Sequence, residues 1–152
     1  MKESIGNTMI FNLILIFTGI IIAILVSSIG YSKAFKVKNR ILNIVEKYAE
    51  YKQLNTRDWN DTNSEIVNEI NSSLRSIGYK MSSGSSSCPN GDGELLTTTT
   101  DYEYCVYKYT TNSGPYYEVV SYMYFDFPII NDFLKFPVKG QTKVIYELKD
   151  IE

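Results

Sequence analysis

Apolar residues run almost unbroken over residues 9–29, where Asn12, Thr18, Ser27 and Ser28 are the polar interruptions of an uncharged stretch covering 4–32. The hydrocarbon core of a bilayer needs a helix of about 20 mostly apolar residues, because no water is present there to satisfy an open backbone. The pattern predicts a helix in a membrane or an equally dry environment. A cleaved secretory signal has a shorter apolar core, a basic start and small residues at the cut. Here the core is longer, Lys2 is offset by Glu3, and Ser27-Ser28-Ile29-Gly30-Tyr31 makes a poor cleavage site, which favours a retained anchor. A soluble core helix of this length would need a large core around it, and 152 residues leave little for one.

The pattern then changes period without a break. Ala34, Val37, Ile41, Ile44 and Tyr48, flanked by Val45 and Tyr51, recur at three- and four-residue spacing. Lys36, Lys38, Arg40, Asn43, Lys47 and Glu50 take the other side, which makes an amphipathic helix. With no proline before Lys52, span and stalk read as one helix of about 44 residues and roughly 65 Å. Residues 55–61 are a polar break. Thr62 and Glu65 have capping-box spacing and open a second helix, whose apolar face is Ile66, Val67, Ile70, Leu74 and Ile77 and whose stop is Gly78.

Beyond a Ser- and Gly-rich loop over 82–94, residues 97–100 read as strand or further loop, and the period becomes two. Residues 102–110 and 116–127 flank Thr111-Asn112-Ser113-Gly114-Pro115, a hairpin by composition. Tyr117, Val119, Ser121, Met123 and Phe125 form one face of the second strand. Over 140–149, Thr142, Val144, Tyr146 and Leu148 alternate with Gln141, Lys143, Glu147 and Lys149. Three main antiparallel strands are expected, packed by one face on the stalk, since a lone sheet needs a cover. The fold class is α+β: a long N-terminal transmembrane helix continuing as an amphipathic stalk, against a small C-terminal antiparallel sheet. The expected parts are an N-terminal segment and span (1–31), the stalk (32–54) and an extracytoplasmic head (55–152).

Composition narrows the chemistry. Histidine is absent, which removes the commonest general base and metal ligand. The two cysteines have no zinc-type spacing, and no phosphate-binding glycine loop or nucleophile elbow occurs. No enzyme, metal or cofactor is implied. A net charge of −2 does not point to nucleic acid. Charge is uneven, however: residues 32–57 carry seven Lys or Arg against Glu46 and Glu50, while 101–152 carry eight acids against five lysines. That asymmetry suits anionic lipid or a neighbouring subunit's acidic head, or is an ordinary solvated face. Ten of 13 tyrosines lie from Tyr79 onward, which suits cross-strand packing, with a sugar-binding surface as the alternative. The sequons at Asn60 and Asn71 are weak signals in a chain rich in Asn and Ser.

Cys88 and Cys105 read as a disulfide closing a loop that cannot order itself by burial, or as two unpaired thiols. A bridge implies an oxidising compartment and a head outside the cell. Lys33, Lys36, Lys38 and Arg40 just after the span oppose that orientation by the positive-inside rule.

Two stretches carry a family resemblance. Tyr31-Ser32-Lys33-Ala34-Phe35, continued through Ile44-Val45-Glu46-Lys47-Tyr48-Ala49-Glu50-Tyr51, resembles the segment after the hydrophobic helix in TadE-like proteins of the tight-adherence pilus system. Tyr122-Met123-Tyr124-Phe125-Asp126-Phe127-Pro128-Ile129-Ile130, with Phe136-Pro137-Val138-Lys139-Gly140 and Val144-Ile145-Tyr146-Glu147, is similar to that family's closing pattern. The resemblance, over about half the chain, implies a type IV pilin-like minor pilin or pseudopilin, held by membrane lipid and by other subunits through its N-terminal helix. It also implies a prepilin peptidase as partner, with Gly6-Asn7 as the candidate cut. Cleavage there would make Phe11 the fifth residue, where the family usually carries glutamate. Asn12 is the candidate replacement for that polar contact, or an interfacial amide. The competing reading is a stand-alone single-pass surface protein, an adhesin or receptor.

Overall fold

In a computed structural model of the chain, residues 2–60, 64–79, 88–97, 102–124 and 135–146 are described. Among these described residues, three helices and four strands follow in order: α1 (Lys2–Ala49), α2 (Arg57–Asn60), α3 (Glu65–Ile77), β1 (Glu94–Leu95), β2 (Tyr104–Thr111), β3 (Gly114–Tyr124) and β4 (Lys135–Gln141). Span and stalk are one helix, as the unbroken pattern predicts. At 1.5 Å per residue its 48 residues extend about 72 Å.

The stalk half of α1 buries most of the expected stripe: Val37, Ile41 and Val45 are fully enclosed, with Ala34, Ile44 and Ala49 beside them, but Tyr48 is half-buried and Tyr51, past the end of α1, is exposed. Their cover is an antiparallel sheet of order β1-β2-β3-β4. Tyr104 and Val106 from β2, with Tyr117 and Val119 from β3, form its inner face. β3 runs back toward the apolar N-terminal half of α1, against the direction of that helix. The Tyr117 hydroxyl accepts the Leu54 N–H beyond the distal end of the stalk, and the Ser121 hydroxyl reaches the Ala34 carbonyl near the span, both at 3.2 Å. Between them Val119 pairs with Gly140, where a Cβ would come within 2.6 Å of Lys38 Cδ and 2.8 Å of Leu42 Cδ1. A glycine at this position lets the helix lie close against β4.

α3 also runs back toward the apolar half of α1. Glu69 accepts hydrogen bonds from Lys47 Nζ and the Tyr48 hydroxyl, at 2.9 and 3.0 Å, while Gly78 lies beside Lys33. Ile66, Ile70 and Leu74 are its buried face. Gly78, at φ +67°, ends it as expected: its N–H bonds the Arg75 carbonyl and the Tyr79 N–H bonds that of Leu74, a Schellman closure. The start differs from expectation. The N-cap is Ser64, without a side-chain capping bond, so Glu65 is the first helical residue and cannot complete a box. Thr62 lies outside the described residues.

Three further departures concern packing. The polar break over 55–61 contains α2, whose Trp59 is buried edge-on to Tyr104. Asn55 and Asp58 shape the turn, since Asn55 Oδ1 accepts the Arg57 N–H and Asp58 Oδ2 accepts the Asn55 N–H. The last strand ends at Gln141, earlier than its alternation suggests. There the Tyr117 N–H bonds the Thr142 hydroxyl, a side chain standing where a strand would present a carbonyl. Pro137 lies within β4, at the sheet edge where proline is tolerated. Among the described residues the sheet has four strands, not three, because the two-residue β1 pairs with Lys108 and Tyr107 of β2.

Both sheet faces are covered. On the outer face Cys105, Tyr107, Val120 and Tyr122 form a second buried cluster, with Cys88, Leu95 and Tyr109 against it. Cys88 and Cys105 are bridged, their Cα atoms 5.8 Å apart. The Tyr107 hydroxyl donates to the Pro89 carbonyl, and burial pushes its pKa up to about 12, so it stays a donor.

Tyr79 ties α3 to the end of the sheet nearest the apolar half of α1. Its buried hydroxyl accepts the Tyr122 N–H at 2.9 Å and donates to the Glu103 carbonyl at 2.8 Å, with the Tyr122 carbonyl at 3.1 Å as second acceptor. Burial pushes the phenol well above the usual tyrosine range, which keeps it neutral and donating. Tyr79→Phe should destabilise the head by about 1–3 kcal/mol, the cost of depriving buried backbone groups of a partner. Urea unfolding of the detergent-solubilised chain reads this directly.

Candidate functional site

The apolar N-terminal half of α1 differs from the stalk half in one decisive respect. Its large apolar side chains from Met9 to Ile29 are 44% to 75% exposed, whereas the stalk stripe is enclosed by the head. Residues 9–29 rise about 30 Å, the thickness of a bilayer's hydrocarbon core. Leaving these side chains in water would forgo roughly 1.5–3 kcal/mol for each one. α1 is thus long and apolar enough to cross a membrane, and a helix of this kind carrying an α+β head defines the class of the chain.

The residues singled out in the sequence fall in three places. Gly6 and Asn7 lie within the first turns of α1, before the apolar run. Asn12 is exposed on the span and has no hydrogen-bond partner among the described residues. Gly19 has open space where a side chain would be, and Ala23 is partly covered, its carbonyl accepting the Ser27 hydroxyl at 2.7 Å. Cys88 and Cys105 meet as a bridge on the far side of the sheet. The structure therefore does not bring these residues together; they mark the span and the head separately.

A collar that the one-dimensional pattern only hinted at lies between them. Tyr31 and Phe35 stack at 6.3 Å between ring centres, both exposed, and Lys38 Nζ sits 4.2 Å above the Phe35 ring. Lys33, Lys36 and Arg40 are exposed on α1, and Arg75 is exposed in the last turn of α3. None of the five cations has a carboxylate partner among the described residues. Farther from the span, Lys47 pairs with Glu69 and Lys52 with Asp58, and on β4 Lys139 pairs with Glu118. The hydrogen bond from Lys47, aided by that from Tyr48, holds the Glu69 carboxyl below its usual range. These pairs are largely exposed on the lysine side, so they set register more than stability.

At the distal end a cleft is lined by Tyr48, Tyr51, Lys52, Arg57, Asp58 and Glu65. Asp58 is occupied there by Lys52 at 2.6 Å and by the Asn55 N–H. Among the described residues no three His, Cys, Asp or Glu side chains converge as a metal site would require.

Comparison with family models, curated proteins and solved structures finds no match to this chain.

Proposed function

We propose that this chain is a non-catalytic, pilin-like structural subunit, anchored in a cell membrane by α1 and used in a surface filament or secretion apparatus. The observation carrying this reading is the continuity of α1: the helix with the exposed apolar surface is the one whose next turns form the core of the head. Anchor and head are rigidly coupled, with no linker between them. Such a coupling suits a subunit whose helix leaves lipid for a bundle of like helices and carries its head into a fixed position. An adhesin or receptor has no comparable need, since a flexible tether serves it equally well.

In this reading small residues such as Gly19 and Ala23 permit close helix approach, and Asn12 supplies an amide contact between subunits. The Cys88–Cys105 bridge supports an extracytoplasmic head, because bridges persist mainly outside the reducing cytosol. Cryo-electron microscopy of surface filaments, paired with N-terminal sequencing of the purified chain, tests the proposal. The expected result is α1 at the filament centre and a mature N-terminus at Asn7. An intact Met1 together with filaments lacking the chain would sink it in favour of a stand-alone surface protein.

A further inference from the structure

We propose that the membrane-proximal end of the head is a binding collar for anionic phospholipid headgroups. This rests on the reading above for the placing of the span, and it assigns the lipid class that the head selects. Three observations converge. First, Lys33 and Lys36 lie roughly 6 and 10 Å beyond Ile29 at 1.5 Å per residue. That is within a Debye length of about 8–10 Å of a bilayer surface, or at its edge. Second, Lys33, Lys36, Lys38, Arg40 and Arg75 hold no carboxylate among the described residues, whereas Lys47 and Lys52, farther along the chain from the span, are paired. Third, the collar is preorganised. The Lys38 stem packs at Gly140 and its ammonium lies over Phe35, one turn nearer the span. Lys33 stands at the C-terminal end of α3, the end that also carries Arg75.

Exposed aromatic residues just outside an apolar span are suited to the headgroup level. Tyr31 and Phe35 would sit there, with the ammonium groups around them at the height of lipid phosphates. Phosphatidylcholine offers a phosphate whose charge its own choline cancels, whereas phosphatidylglycerol offers a net negative charge. The collar therefore favours the second. The same positive charges that count against an external head by the positive-inside rule gain a binding role in this account.

The test uses the full chain in phosphatidylcholine bilayers doped with spin-labelled phosphatidylglycerol or spin-labelled phosphatidylcholine. Electron spin resonance gives the lipid immobilised at the protein. Its total reports that the span is inserted, and the ratio between labels reports headgroup choice, so the two readings fail separately. The wild-type chain should immobilise phosphatidylglycerol several-fold more strongly at low salt, falling toward parity in high salt. Each near-surface cation contributes up to about fivefold. The triple variant Lys33→Gln, Lys36→Gln, Lys38→Gln should lose the preference, Lys33→Gln alone should lower it more than Arg40→Gln, and the distal Arg57→Gln should leave it intact. The salt series on the wild-type chain decides the matter even if the triple variant fails to fold. Equal immobilisation of both labels by the wild-type chain, or a preference retained by a folded triple variant, overturns the proposal. So does loss of self-association in pure phosphatidylcholine without any lipid preference, which would assign the collar to the acidic head of a second copy.

Discussion

Replacing Gly114 with valine should unfold the sheet end of the head. Gly114 closes the hairpin between β2 and β3, opposite Thr111, at a φ of +134°, a region side chains seldom enter. A Cβ there would stand 2.2 Å from the Ile145 carbonyl oxygen. That atom belongs to the backbone of the C-terminal segment, held in place by a 2.8 Å bond from the Ile145 N–H to the Pro115 carbonyl. No rotamer change relieves the overlap, so either the turn opens or the C-terminal segment lifts away. Backbone strain costs about 1–3 kcal/mol, and forced repacking adds about 1–3 kcal/mol. Set against a total stability of about 5–15 kcal/mol, a combined cost of about 2–6 kcal/mol removes a large share of it and is enough to unfold a head near the lower bound. Thermal unfolding followed by circular dichroism should show the β signal lost while the helical signal of the span persists in detergent. A Gly114→Val chain that melts within a few degrees of wild type would show that the C-terminal segment is not needed over the turn.

Removing the Cys88–Cys105 bridge should have the next largest effect. The two residues are 17 apart in sequence, and in the chain-entropy model a loop of that size is worth about 3 kcal/mol. The consequence reaches beyond entropy, because the bridge pins residues 88–97 over the outer face, where Tyr107 and Val120 are buried. The double variant Cys88→Ser, Cys105→Ser should therefore expose the outer face before the inner core melts. Hydrogen exchange should show β1 and the outer-face amides losing protection first, with α1–β3 contacts retained. The global transition should fall by about 3 kcal/mol in urea unfolding. Uniform loss of protection over both faces would instead mean that the sheet has no stability of its own without the bridge.

Legibility in the sequence varied with the length of each signal. The stripe from Ala34 to Tyr48 repeats over four turns and therefore names its own buried face, which the structure encloses. Ile66, Ile70 and Leu74 do the same for α3. α2 has four residues, too few for any period, and the capping by Asn55 and Asp58 that could have announced it lies among ordinary polar residues. β4 was displaced by a stronger decoy. Residues 142–148 alternate better than Lys135–Gln141, but Thr142 bonds Tyr117 through its hydroxyl and the ladder stops there. Pro137 and Gly140 made the true strand look unlike one, although an edge position tolerates the first and a close helix needs the second.

The candidate site divides along the same line. Asn12 and the apolar run of the span stand out by composition, because a dry environment acts on every residue of a helix by the same rule, whereas Gly6 and Asn7 entered only through the family resemblance. That rule needs no partner, so the sequence alone determined that α1 requires a dry environment and that one face of its stalk is covered. What lies on the other side of each contact depended on the fold. The antiparallel return of α3 brings Arg75 to the end beside Lys33, and the sheet register places the Cys88–Cys105 bridge over an outer face that no periodicity marked as buried. Lys47, Lys52 and Lys139 find carboxylates on other segments, while Lys33, Lys36, Lys38, Arg40 and Arg75 near the span find none among the described residues. The tertiary structure alone decided those facts, because pairing across segments is set by register and packing, which local sequence does not contain.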